Sequence, residues 1–270
     1  MYADERRRVI LAAIEVNGSV SVADLARITQ CSEVTIRRDL RSLDRDGLLQ
    51  RQRGGATAAR TPIDEPSYVD KRPVARDEKS TIAAAAAAMV EDGDVIMLCA
   101  GTTTERLAIA LVRRRILVIT NSTRVADVLA EAPEVEVYLL GGVVRGAIHA
   151  VVGAEAEVAL ARMRVDKLFL SGNGLTATRG LSTPNLHVAR FDRTAAANAD
   201  QVIVLADSTK LGADSVAQTV PIAQIDALVT TDEVPATMID ELSAAGVEVC
   251  VAETGASRRA CPHLATDRPA

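Results

Sequence analysis

The chain has 270 residues, 48% apolar but only 2% aromatic and with no Trp, so it is long enough for two domains whose cores are built from Ala, Val, Leu and Ile. Two Phe and three Tyr argue against nucleic-acid binding by base stacking. The net charge of −5 is divided unevenly, with eleven Lys/Arg against eight Asp/Glu in residues 1–60 and twenty against twenty-eight in the rest, so only a small basic head suits a polyanion.

In chain order, residues 4–17 read as a helix with Val9, Ile10, Ala13 and Ile14 on one face, stopped by Asn17-Gly18. Ser21 reads as the N-cap of a second helix, with Asp24 placed to reach back and Leu25 and Ile28 facing inward. Cys31 lies in the turn, and Ser32 caps a third helix that carries Glu33 in its first turn and ends at Gly47. "LLQRQRGGAT" then reads as two short strands or a strand and wing, turned by Gly54-Gly55. Three prolines and mixed charge make the next stretch, 58–76, a linker.

From residue 77 the pattern alternates. Helices are expected near 78–90, 102–113, 122–130, 154–163 and 186–199, with one more before the end. Strands are expected at 94–100, 116–120, "VEVYLLGG", "KLFLSGNG", "QVIVLAD", "DALVTTD" and "VEVCVA". Such alternation implies an α/β domain with a mostly parallel sheet covered on both faces, which binds ligands at the carboxyl ends of its strands. Residues 253–270 read as a disordered tail.

Cys31, Cys99, Cys250 and Cys261 form no C-x-x-C and do not pair with His149, His187 or His263 at zinc spacing, so no metal is expected and the thiols read as reduced. The N-terminus has no secretory h-region, and no apolar run is long enough to span a bilayer. The expectation is a soluble, cytoplasmic protein with no membrane partner.

The third helix explains the basic head. At 100° per residue, Ile36, Leu40 and Leu43 fall within about 60° of one another, and Val34, Arg38, Arg41 and Arg45 fall opposite. Thr35 and Ser42 lie on one flank and Arg37 on the other. Arginine forks, hydroxyls and a small apolar group on one outer face are what a major-groove helix needs. A solvated face balanced by Asp39, Asp44 and Asp46 is the alternative, and the short preceding helix and turn favour the helix-turn-helix.

The stretch "SVADLARITQCSEVTIRRDLRSLDRDGLLQRQRGGAT" resembles the winged helix-turn-helix of the DeoR-type bacterial regulators. Thr35-Ile36-Arg37-Arg38-Asp39-Leu40 matches the hallmark of that family, Gly47-Leu48-Leu49 follows at its spacing, and Gln52-Arg53-Gly54-Gly55-Ala56 stands at the wing tip, with Arg53 where a His is usual. The resemblance places the DNA-binding domain at 1–57, with the helix-turn-helix proper at 20–39. The residues expected to meet double-stranded operator DNA are Ser21, Ser32, Val34, Thr35, Arg37, Arg38, Arg41 and Arg45, with Arg51 and Arg53 on the wing.

The resemblance continues through 77–252, and implies an effector-sensing and oligomerisation domain similar in fold to sugar-phosphate isomerases. Gly101-Thr102-Thr103-Thr104 can be read without it: a strand ends, glycine lets the backbone approach, and hydroxyls and amides meet a helix N-terminus, which makes a phosphate or sugar-hydroxyl cradle. Lys210, after another strand, supplies a cation. The resemblance adds Ser122, Gly141, Gly142, Gly172, Asn173, Gly174, Thr183 and Asp207 as effector contacts, with a phosphorylated sugar as the effector. Three positions depart from the pattern: Cys99 replaces an acid, Asn173 replaces Asp, and Asp192 stands where a Lys aligns.

The resulting expectation is a repressor of a sugar-catabolic operon, relieved by a phosphorylated sugar. It has no cofactor and no catalytic residues, and it is at least a dimer, because one recognition helix reads few bases. The alternatives are an isomerase-like enzyme with a DNA-binding head, which would need carboxylates missing at Cys99 and Asn173, and a sensor that serves only for oligomerisation.

Overall fold

Apolar residues recurring three and four apart near the N-terminus converge on one small core of Ile10, Ile14, Leu25, Ile36, Leu40, Leu43 and Leu49. In the computed structural model, which describes residues 2–17, 19–45, 48–52, 54–58 and 65–253, this core belongs to a first compact unit, Met1–Asp64, and a second unit comprises Glu65–Ala270. The first unit runs α1 (Ala3–Asn17), β1 (Ser19–Ser21), α2 (Val22–Thr29), α3 (Glu33–Arg45), β2 (Leu49–Gln52) and β3 (Gly55–Ala58).

The turn between α2 and α3 is made by Gln30 in the left-handed conformation, with φ 55°. The wing is a three-stranded antiparallel sheet in the order β1-β3-β2, one strand more than the sequence suggests. A three-residue strand is too short to show alternation. Its presence explains Gly55, because a Cβ there would lie 2.5 Å from the Val20 carbonyl oxygen. Asp39 turns inward and pairs with Arg6 of α1 at 2.5 Å, so it does not neutralise the outer face of α3.

The second unit begins with α4 (Tyr68–Lys71) and α5 (Arg76–Ala87). It continues as β4 (Val95–Leu98), α6 (Thr102–Leu111), β5 (Ile116–Thr120), α7 (Thr123–Leu129), β6 (Val135–Leu139), β7 (Val143–Arg145), β8 (Ala150–Val152) and α8 (Ala154–Leu160). Then follow β9 (Val165–Leu170), β10 (Gly174–Thr176), β11 (Gly180–Thr183), α9 (Leu186–Ala197), β12 (Ala199–Leu205), β13 (Ala217–Val220), β14 (Ala227–Thr231), α10 (Ala236–Ala244) and β15 (Glu248–Ala252). The main sheet has seven strands in the order β15-β14-β12-β9-β4-β5-β6, and every neighbouring pair is parallel.

Successive residues of the central strands serve opposite faces. Leu168, Leu170, Val202 and Val204 join one core with Phe191 and Ala195 of α9, Leu160 of α8 and Leu242 of α10. Phe169, Ile203 and Leu205 join the other with Ile82 of α5, Leu107 of α6 and Val125 of α7. A fully buried side chain of this kind contributes about 1.5–3 kcal/mol.

Three features depart from the sequence reading. The hairpin β7–β8 and the antiparallel sheet β10-β11-β13 lie outside the main sheet, on strands of three or four residues. Residues 65–76, expected as linker, belong to the second unit: Ser67 and Asp70 form a capping box for α4, Tyr68 is buried, and Glu65 pairs with Arg145. Cys31 and Cys99 are free thiols, but Cys250 is disulfide-bonded, which its spacing did not announce. Residues 59–64 of the expected linker and 254–270 of the expected tail lie outside the described residues.

The Arg6–Asp39 pair generates a prediction. Asp39→Ala leaves a largely buried guanidinium without its carboxylate, at a cost of about 2–3 kcal/mol. The expected result is a lower urea midpoint read by a fluorophore attached to the first unit, and an unchanged midpoint would show that the pair contributes nothing.

Candidate functional site

The first unit presents a basic helix face. Ser32 caps α3 by accepting from the Thr35 amide, and its hydroxyl lies 2.9 Å from that of Thr35. Ile36, Leu40 and Leu43 are buried, while Val34, Arg37, Arg38 and Arg41 are exposed. Arg37 donates to Glu33 one turn back, at 2.7 Å, whereas Arg38 and Arg41 make no ion pair within the described residues. Ser21 caps α2 and exchanges hydrogen bonds with Asp24. Arg51 is exposed on β2, and its amide donates to Asp44, so this second acid of α3 is drawn to the wing. Arg53 and Asp46 lie outside the described residues, and Arg45 is placed only as the last residue of α3.

In the second unit the order of the strands makes a crevice. From β4 the chain winds outward through β5 to the edge strand β6, then returns to β9 on the other side of β4 and winds the opposite way through β12. Loops leaving β4 and β9 therefore diverge, and a crevice of the kind that holds ligands in open α/β sheets opens between them. The cavity there is lined by Gly101, Thr102 and Thr103 after β4, Gly172 and Asn173 after β9, Thr183 of β11, and Asp207 and Lys210 after β12.

Local bonds fix each lining segment. The Thr104 hydroxyl donates to the carbonyls of Cys99 and Gly101, at 2.6 and 2.9 Å, and pins the turn into α6. The Ala100 amide donates to the side chain of Asn121. Gly172 has no room for a side chain, since a Cβ would lie 2.7 Å from Leu181. The Asn173 amide donates to the Ser182 carbonyl, and its side-chain oxygen accepts from the Thr183 hydroxyl. Asp207 accepts from the Thr209 hydroxyl and amide.

Four charged groups in the cavity were not among the expected contacts: Glu65, Lys71, Lys79 and Asp192. Lys79 of α5 is 3% exposed, donates to the carbonyls of Lys71 and Val74, and lies 3.8 Å from Asp207. Burial lowers its pKa to about 8 against the opposing pull of Asp207, and the nearby charge of Lys210 lowers it further. Beside it, Glu78 accepts from the Ser208 amide and hydroxyl and from the Thr231 hydroxyl, which ties α5 to the ends of β12 and β14. Asp192 of α9 also lines the cavity and is 4% exposed. Burial pushes its carboxyl up to about 7, opposed by the charge of Arg193. The same burial, with Asp192 nearby, holds the Cys99 thiol well above its usual range.

Several expected residues do other work. Thr104 is fully buried beneath the turn. Ser122 is buried as the N-cap of α7 and accepts from the Val125 amide. Gly141 and Gly142 follow β6, two strands away from β4, and are not among the residues that line the cavity. Gly174 begins β10, where a Cβ would lie 2.3 Å from the Ala213 carbonyl oxygen. These five share positions after strands with the lining residues, but strand order decides which loops converge. Lys79 carried no signal, because a lysine beside an alanine-rich helix has no pattern of its own.

Comparison with known proteins adds the following. A family profile described as the DeoR-like helix-turn-helix domain matches residues 6–61, and one described as the DeoR C terminal sensor domain matches 74–232. The HTH-type transcriptional regulator GlpR of Haloferax volcanii is 36% identical over 92% of this chain and 98% of its own. The HTH-type transcriptional repressor GlcR of Bacillus subtilis is 33% identical over 94% and 98%. The lactose phosphotransferase system repressor of Streptococcus mutans is 32% identical over 85% and 92%. Among solved structures, ribose 5-phosphate isomerase A of Methanocaldococcus jannaschii aligns with a TM-score of 0.37 and 20% identity, over 49% of this chain and 53% of that one.

Asp192 generates a prediction about pH. Its folded-state pKa of about 7 lies above the roughly 4 of an unfolded aspartate. Between those values the folded chain holds the extra proton, so stability falls as pH rises through about 4 to 7. Asp192→Asn is expected to flatten that fall, measured by urea midpoints across the window. An equally steep fall in the variant would place its source elsewhere.

Proposed function

The chain belongs to the DeoR family of transcriptional regulators, and on that premise we propose that it represses a sugar-catabolic operon and is released from its operator by a phosphorylated sugar. The observation that carries the DNA-binding half is the outer face of α3. Arg38 and Arg41 stand exposed beside Val34, without an ion pair among the described residues, above a buried stripe of Ile36, Leu40 and Leu43, on the second helix of a helix-turn-helix. Unpaired arginines can fork onto guanine edges or phosphates, and an exposed valine suits a thymine methyl. Arg51 on the wing supplies a phosphate contact.

The effector half rests on the cavity between β4 and β9. The N-terminus of α6 offers Thr102 and Thr103, and Lys79 and Lys210 add positive charge, a combination suited to a phosphate. The names of the relatives point the same way, since one is a repressor of a lactose phosphotransferase system. The relatives are regulators by name, so we read the sensor as binding its ligand without turning it over. Self-association is assigned to the open edge of the main sheet at β6, where Tyr138 and Leu139 are exposed, together with strand β7 of the following hairpin, where Val143 and Val144 are exposed. A cytoplasmic setting accords with such a role, and no helix among the described residues is long and apolar enough to cross a membrane.

Two substitutions test the reading. Arg38→Ala is expected to weaken operator binding by about 1–3 kcal/mol in a gel-shift titration while the melting temperature holds. Full operator affinity in that variant would mean the recognition face is misplaced. Thr103→Glu sets a carboxylate in the cradle, and is expected to abolish the thermal shift produced by a sugar phosphate while operator binding without ligand persists. A ligand at about 100 times its Kd stabilises the wild type by roughly 2.7 kcal/mol if it binds only the folded state. Failure of every sugar phosphate to shift the wild type would leave the sensor an oligomerisation domain only.

A further inference from the structure

We propose that the ligand of this cavity carries a free amine as well as a phosphate, that is, a phosphorylated amino sugar, and that Asp192 is the residue that receives the ammonium group. The inference deepens the reading above and rests on it, since it takes the phosphate to sit against Thr103 and the lysines.

Asp192 lies on the buried face of α9, with Ala189, Phe191 and Ala195 as its buried neighbours on the helix, and it lines the cavity. It makes no hydrogen bond and no ion pair with another described residue, although 4% of it is exposed. Lys79 is committed to Asp207 and two carbonyls, and Lys210 does not pair with Asp192. A carboxylate buried without a partner is costly, and such groups are held for a counter-charge or stay protonated. Burial has already raised its pKa to about 7, so the groups around it do not steady the charged form.

The polarity of the cavity then sets what a ligand has to bring. Of the charged residues that line it, Glu65 pairs with Arg145 and Lys79 with Asp207, whereas Lys210 and Asp192 make no ion pair among the described residues, so a ligand has to bring an anion for the first and a cation or a donor for the second. A neutral sugar hydroxyl can donate one hydrogen bond but leaves the charge unmatched. An ammonium group supplies up to three donors and the missing charge together. Asn173 and Thr183 bond to each other on the cavity wall, and neither carries a charge that would compete. Among the described residues no cluster of acids and histidines could hold a metal ion in the amine's place.

The test titrates the full chain calorimetrically with three kinds of probe, in the gluco and galacto series: the hexosamine 6-phosphate, the hexose 6-phosphate and the N-acetylhexosamine 6-phosphate. The wild type is expected to bind the free amine of one series at least about tenfold more tightly than its two neutral counterparts, as a charge-assisted hydrogen bond implies. In Asp192→Asn, checked for folding by its melting temperature without ligand, that ratio is expected to fall to about one. Equal binding of the three probes by the wild type overturns the amine inference and leaves the phosphorylated-sugar reading standing. So does a preference that survives in the folded Asp192→Asn chain. If none of the probes binds the wild type, the amine inference falls together with the reading on which it rests.

Discussion

A buried ammonium has to be surrounded by oxygen, and in the second unit that requirement falls on Lys79. Its partners are the carbonyls of Lys71 and Val74 and the carboxylate of Asp207. Those contacts fold the stretch between α4 and α5 over the end of β12, and Glu78 repeats the tie through Ser208 and Thr231. Without them the strand ends would face open solvent, and the cavity would lose one of its walls. The lowered pKa of Lys79 measures how far the group has been taken from water. At about 8 it still leaves the group mostly charged at neutral pH, and a ligand anion nearby would hold that charge more firmly, so binding and the charge of this residue are linked.

The two functional surfaces are built by opposite means. On α3 the inward residues are apolar and the outward ones charged, so the helix wheel is enough to find the face. Asp39 crosses that division because Arg6 meets it on the inner side, and Val34 crosses it the other way, as an exposed apolar group. In the cavity the lining groups are buried or half-buried, and what distinguishes a lining residue from a structural one is a matter of contacts. Thr103 and Thr104 are neighbours with the same side chain, yet one lines the cavity while the other is spent on the carbonyls of Cys99 and Gly101.

The legibility of the sequence follows the same line. The amphipathic α3, its Ser32 cap and the alternation of helix and strand from residue 77 are local patterns, and the structure shows each of them. The short strands β1, β7, β8 and β10 left no trace, since three residues cannot display a period of two. Gly141 and Gly142 look from the sequence like Gly172, a glycine after a strand, and only the outward winding from β4 to β6 sets them apart. Lys79 and Asp192 owe their character to burial, which depends on packing between distant segments. Asp192 did stand out, as a negative charge where a Lys aligns, but its burial and its lack of a partner among the described residues could not be read from the motif.

The winding of the chain about β4 has a consequence for how the sensor comes into being. The cavity wall draws on residues 65–79, 100–103, 171–192 and 207–210, so its parts are synthesised over most of the length of the second unit. The basic helix, by contrast, is finished within the first sixty or so residues. Domains fold broadly in the order in which they leave the ribosome. A chain interrupted before β12 would therefore have its basic helix face complete but its cavity wall unfinished, since Asp207 and Lys210 follow that strand.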